Sequence, residues 1–129
     1  MSLKITLKGN ERLIVGGAVV RNGGKGTILF IENTVPILRE KDILGEKDAT
    51  TPCKRVYFTI QLMYIDEANV PQYRTTYLDL ARDILEAAPS TASYLEQIST
   101  RIEDGNYYQA LKAARNLIEY EEELLKNAN

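Results

Sequence analysis

The stretch "TPCKRVYFTIQLMYI", residues 51–65, decides the fold, because one style of sequence gives way to another there. Thr51 offers an N-cap oxygen, and Pro52 suits the first helical position, where its missing N–H has no intrahelical partner to lose. Val56, Phe58, Ile60 and Leu62 also alternate as strand residues would, but the cap predicts a helix opening at Pro52. Its near-continuous apolar character implies burial on most sides, or burial against another chain.

Upstream the chain reads as short strands. Leu3, Ile5 and Leu7 alternate with Lys4, Thr6 and Lys8. "RLIV" (12–15), "AVVR" (18–21) and "TILFIE" (27–32) follow, separated by Gly9-Asn10, Gly16-Gly17 and "NGGKG" (22–26). "VPIL" (35–38) comes last, and Pro36 cannot donate to a ladder, so this strand is an edge or very short. Four or five such strands predict one small antiparallel sheet, with Phe30 in its core. A stacking surface is the other reading for Phe30.

Downstream the period is helical. Pro71 starts a helix with Tyr73, Tyr77, Leu80, Ala81, Ile84 and Leu85 on one face, and Pro89 ends it. "SYLE" (93–96) has capping-box form, with Leu95, Ile98 and Ile102 at helical spacing behind it. Gly105 is a C-terminal cap, and Asn106 with Gln109 restarts the chain. Tyr107, Leu111, Ala114, Ile118 and Leu125 are expected to line the final helix. Tyr73, Tyr77, Tyr94 and Tyr107 are read as core residues. "GNYYQALKAA" (105–114) resembles half of a tetratricopeptide unit, but no second copy follows at a period of 34, so a helical hairpin is the reading. The expected class is α+β: an antiparallel β-rich region over residues 1–48, then an α-helical bundle of about four helices over 51–129. "GEKDATT" (45–51) is the expected junction.

At 129 residues, 44% hydrophobic and 26% charged, the chain suits one domain or two tightly packed subdomains. No apolar run approaches the roughly 18 residues of a membrane span, and Lys4 and Lys8 interrupt any leader-like core. The single cysteine, Cys53, excludes an internal disulfide and suits a reducing compartment, so a cytoplasmic location is expected. The absence of histidine excludes a His-based general base or triad. Cys53 lacks partner ligands and reads as a small buried hydrophobe. "GGKGT" (23–27) fails the phosphate-loop spacing, because residue 19 is Val and Gly26 follows Lys25; a hairpin turn accounts for its glycines. Asp79 and Asp83, one helical turn apart, read as solvated. No catalytic residues, cofactor or metal are expected, and the chain is not expected to be an enzyme.

Charge is segregated along the chain. Residues 1–58 carry ten Lys and Arg against six Asp and Glu, a balance of +4, whereas residues 59–129 stand at −6. A basic front half suits an anionic partner. In "VPILREKDIL" (35–44), Glu40 and Asp42 read as the solvated start of a helical turn. Arg39, on an edge, can hold phosphate through two N–H groups or stack on a base. Lys4, Thr6 and Lys8 share one face of the first strand and suit phosphate contacts beside it.

The segments "LKITLKGNERLIVGGAVVRNG", "VPILREKDIL", "YFTIQLMYID" and "NYYQALKAARNLIEYEEELL" together resemble the FlbT family of flagellar regulators, in order and from Leu3 to Leu125. That resemblance implies a non-enzymatic, post-transcriptional regulator that associates with the 5′ untranslated region of flagellin mRNA and controls its stability and translation. A repressor is the expectation, although some members support flagellin synthesis. It also implies FlaF as a functional partner. A second resemblance, over residues 3–44, is to the small RNA-binding carbon storage regulator CsrA, with its hairpins and strand-swapped homodimer. Carried over, it assigns RNA contacts to Ile5, Thr6, Lys8 and Arg39, while Leu7 stands where that family has a basic residue. The RNA-binding set is therefore expected to be Lys4, Thr6, Lys8 and Arg39, in a homodimer. The alternative is a protein-interaction adaptor whose helices hold flagellin or FlaF, motivated by the apolar surplus of "VYFTIQLMYI".

Overall fold

Strand β1 (Leu3–Leu7) pairs antiparallel with β4 (Thr27–Ile31), placing Ile5 opposite Leu29 and Leu3 opposite Ile31. The computed structural model describes residues 2–128. A second sheet runs in the order β3 (Ala18–Arg21), β2 (Arg12–Val15), β5 (Ile37–Arg39), again antiparallel. The expected single sheet is thus two, and the expected hairpin at residues 22–26 is a crossover from one sheet to the other. Among the described residues, only β2 and β3 form a hairpin of consecutive strands. Asn22 explains the switch: its side-chain amide donates to the carbonyls of Leu7, Lys8 and Lys25 at 2.8–3.2 Å, tying the end of β1 to the crossover. The chain passes so close there that a Cβ on Gly9 would sit 2.7 Å from the Gly24 carbonyl oxygen, so only glycine fits.

Strand alternation then sets the core. Ile5, Leu7 and Leu13 are buried together, with Val15, Leu29, Ile31 and Ile37 packed against them. Strand β5 is three residues long and lies at an edge, as Pro36 requires. The tetrad after it resolves into two parts: Arg39 ends the strand, exposed, and residues Glu40–Asp42 form one 3-10 turn.

The helical unit contains α1 (Pro52–Ile65), α2 (Val70–Ala87), α3 (Ala92–Glu103) and α4 (Tyr107–Asn127). Helix α1 packs against α2 and α4, and α3 packs against α4. The Thr51 hydroxyl accepts the Lys54 N–H at 3.2 Å, and Pro52 occupies the first turn, so the cap overrides the alternating pattern. Val56, Tyr57, Ile60 and Met63 are buried on α1, while Phe58, Leu62, Tyr64 and Ile65 are half-buried. The apolar surplus of this helix is absorbed largely within its own unit. Gly105, at φ +73°, ends α3, with the Asn106 N–H on the Arg101 carbonyl; Asn106 Oδ1 then accepts the Gln109 N–H to start α4.

Two helical expectations need correction. Ser93 lies inside α3 and is not its cap, because a 3-10 turn from Pro89 to Thr91 starts the coil one turn earlier. The buried stripe of α4 is Ala110, Leu111, Ala114 and Leu117; Ile118 is half-buried and Leu125 exposed. Of the four tyrosines expected in the core, Tyr77 is buried and Tyr73, Tyr94 and Tyr107 are half-buried; the Tyr73 hydroxyl donates to Asp66 Oδ2 at 2.6 Å.

The chain divides into two compact units between Ile43 and Leu44, ahead of the expected junction. Leu44 belongs to the helical unit because buried Gln61 grips its backbone at both ends. The Leu44 N–H donates to Gln61 Oε1 at 2.8 Å, and Gln61 Nε2 donates to the Leu44 carbonyl at 2.9 Å. Among the described residues, no helix is long and apolar enough to cross a membrane.

Candidate nucleic-acid interface

The two-stranded β1–β4 ribbon buries one face and opens the other. On the open face Lys4 stands opposite Phe30 and Thr6 opposite Ile28. Residues directly opposite in an antiparallel pair hold their Cβ atoms about 5 Å apart, so each pair forms a contiguous patch. Phe30 is 61% exposed, which corrects the expectation that it lies in the core. Every position from Ile28 to Ile31 is apolar, so period two offers no contrast there. Pairing of Ile5 with Leu29 turns Leu29 inward, and Phe30 must turn outward.

Lys8 lies just beyond β1, at the turn whose Asn10 has φ 65°. The Lys8 N–H donates to Glu11 Oε1 at 2.8 Å, which fixes the turn. Lys8 and Lys41 line one cleft of about 380 Å³ with Glu11 and Glu40, so the end of β1 meets the 3-10 turn that follows Arg39. Arg39 stands in the other sheet, opposite Leu13. The structure therefore places Lys4 and Thr6 on one strand face, brings Lys8 to Lys41, and leaves Arg39 on a separate exposed edge.

Electrostatics separate engaged from unengaged cations. Arg12 Nε lies 3.4 Å from Glu40 Oε1, and Arg21 donates to Asn10 Oδ1 at 3.2 Å. The side chains of Lys4, Lys8, Arg39 and Lys41 have no hydrogen bond or ion pair to another described residue. The Arg12–Glu40 pair also partly offsets the carboxylate that follows Arg39 in the chain. Residues 1–43 carry seven basic against four acidic side chains, so this unit keeps a positive balance. Lys41 and exposed Ile28 were not singled out by sequence; the charge run hid the first and the all-apolar strand hid the second.

Comparison with known proteins gives a consistent answer over the whole chain. The sequence model of the family described as "Flagellar protein FlbT" matches residues 3–125. The chain is similar to the probable flagellum biosynthesis repressor protein FlbT 1 of Bradyrhizobium diazoefficiens, at 48% identity over 96% of this chain and 85% of the relative. It is 42% identical to the probable flagellum biosynthesis repressor protein FlbT of Rhodopseudomonas palustris strain TIE-1, over 97% of this chain and 98% of that one. The flagellum biosynthesis repressor protein FlbT of Caulobacter vibrioides strain ATCC 19089 is 35% identical over 97% and 90% of the two chains. No solved structure matches. With a family match across almost its full length and relatives of comparable length, the chain belongs to the FlbT family of flagellar proteins.

Proposed function

We propose that this chain represses flagellum biosynthesis after transcription, by holding the 5′ untranslated region of flagellin mRNA on its β-rich unit. The relatives are named repressors of flagellum biosynthesis, which supports a regulatory, non-catalytic role. The observation that carries the RNA reading is the open β1–β4 face, where a cation and an exposed aromatic ring stand side by side at Lys4 and Phe30. Single-stranded RNA is held by this combination: a base stacks on the ring, and the ammonium meets the adjoining phosphate. Thr6 supplies a hydroxyl that both donates and accepts, suited to a base edge or a 2′-hydroxyl. Lys8 and Lys41 extend the cationic surface past the end of β1, and Arg39 adds a further cation on the exposed edge of the other sheet. This repeats the set Lys4, Thr6, Lys8 and Arg39 and adds Phe30 and Lys41.

The test is a gel shift of the purified chain with the flagellin 5′ leader of its own organism at several salt concentrations. About four to six phosphate contacts give a log–log salt slope near −3 to −4 on single strands. Salt-insensitive binding, or none, would overturn the reading. The homodimer belongs to the same proposal, supported by β3, an edge strand whose Val19 and Val20 are exposed.

A further inference from the structure

The three-residue link Asp104–Asn106 sends α4 back along α3, and beside their buried stripes both helices carry polar ones. Glu96, Gln97 and Arg101 of α3, with Gln109, Lys112 and Asn116 of α4, line a groove of about 620 Å³. It runs along α3 from Ser93 to Arg101, which at about 1.5 Å per residue is roughly 12 Å. That length takes about four residues of extended chain at about 3.3 Å each.

The chemistry of the walls selects the occupant. A side-chain amide donates and accepts at once, matching the N–H and C=O of a peptide backbone. Gln61 already does this inside the protein, gripping Leu44 through both amide atoms at 2.8 and 2.9 Å. The side chains of Gln97, Gln109 and Asn116 make no hydrogen bond to another described residue, so three further amides stand open along the groove. Arg101 and Lys112, the latter with its ammonium 5.1 Å from the centroid of the Tyr108 ring, outnumber Glu96 and leave one positive charge for a carboxylate. A polyanion is disfavoured, because residues 44–129 carry fourteen acidic against nine basic side chains. Among the described residues no aromatic ring lines the groove to stack a base, and the one apolar residue there, Ala113, gives an amphipathic helix nothing to anchor on.

We propose that the α3–α4 groove binds an extended peptide segment bearing a carboxylate, with the three amides on its backbone and Arg101 and Lys112 on its charge. This site is separate from the RNA face and does not rest on that reading.

The test uses the full chain and fluorescein-labelled octapeptides with a single Glu fixed at the centre and uncharged residues at random around it. A second pool carries a single Lys at the centre, and a third repeats the acidic pool with N-methylated backbone. Fluorescence anisotropy is expected to show binding of the acidic pool alone. The exposed double substitution Arg101→Gln/Lys112→Gln should weaken it at least tenfold, and Gln97→Ala/Asn116→Ala at least threefold, with melting curves matching the parent chain. Equal binding of both charged pools, binding that survives either double substitution or N-methylation, or no binding at millimolar peptide would overturn the assignment. So would displacement of the acidic pool by single-stranded oligouridylate, which would make the groove a nucleic-acid site.

Discussion

Glu121 of α4 caps the first turn of α1 from across the helical unit: its Oε1 accepts the Thr51 hydroxyl at 2.5 Å and its Oε2 accepts the Cys53 N–H at 3.2 Å. A helix N-terminus presents unpaired N–H groups and partial positive charge, so a carboxylate there is both bonded and electrostatically favoured. Replacing Glu121 by Ala should destabilise the fold by about 1–2 kcal/mol, read from urea unfolding at neutral pH. A change below about 0.3 kcal/mol would show that the cap adds nothing beyond water.

Burial, with Glu121 beside it, makes Cys53 a quiet thiol. Burial first, then its hydrogen bond and charge repulsion with Glu121, push its pKa from 9.0 up to about 12. A raised folded-state value stabilises the fold fully below pH 9.0, and that stability is lost as pH climbs towards about 12. Iodoacetamide at pH 8 should therefore label the native chain far more slowly than the chain in urea. Labelling at equal rates would mean that Cys53 is open to solvent. Cys53→Ala should flatten the alkaline loss of stability; the Tyr77 phenol, also raised by burial, is common to both chains.

Phe30 separates binding from folding. Because its ring is exposed, Phe30→Ala should change stability by no more than about 0.5 kcal/mol. Loss of a stacked base should weaken RNA binding by about 1–3 kcal/mol. Unfolding curves and gel shifts on the same preparation check both halves. Loss of stability with unchanged RNA affinity would assign the ring to packing.

An open apolar edge predicts self-association. Val19 is 65% exposed on β3, whose outer backbone edge has no strand beside it among the described residues. Light scattering at micromolar concentration should give twice the chain mass, and Val19→Lys should lower it. A monomer mass for the parent chain would remove the dimer.

The sequence was most legible where one physical rule acted alone. Thr51-Pro52, Gly105 and Asn106 each set a helix end that the structure keeps, because caps act locally. The β-rich start and the four helices were legible for the same reason. Reading failed where partners lie far apart in sequence. Nothing near Asn22 announces that its amide will tie three carbonyls and split the strands into two sheets. Phe30 was misread because its strand is apolar at neighbouring positions, and only pairing with β1 chooses a face. Of the candidate site, Lys4, Thr6, Lys8 and Arg39 were legible as exposed polar positions, whereas the Lys8–Lys41 cleft needs β1 and the 3-10 turn together.

The most direct test of the central claim is a map of backbone amide shifts as the flagellin 5′ leader is added to isotope-labelled chain. The proposal predicts that shifts concentrate at residues 4–8, 27–31 and 39–41, and that added salt reverses them. Shifts confined to α3 and α4, with the β1–β4 face silent, would contradict it.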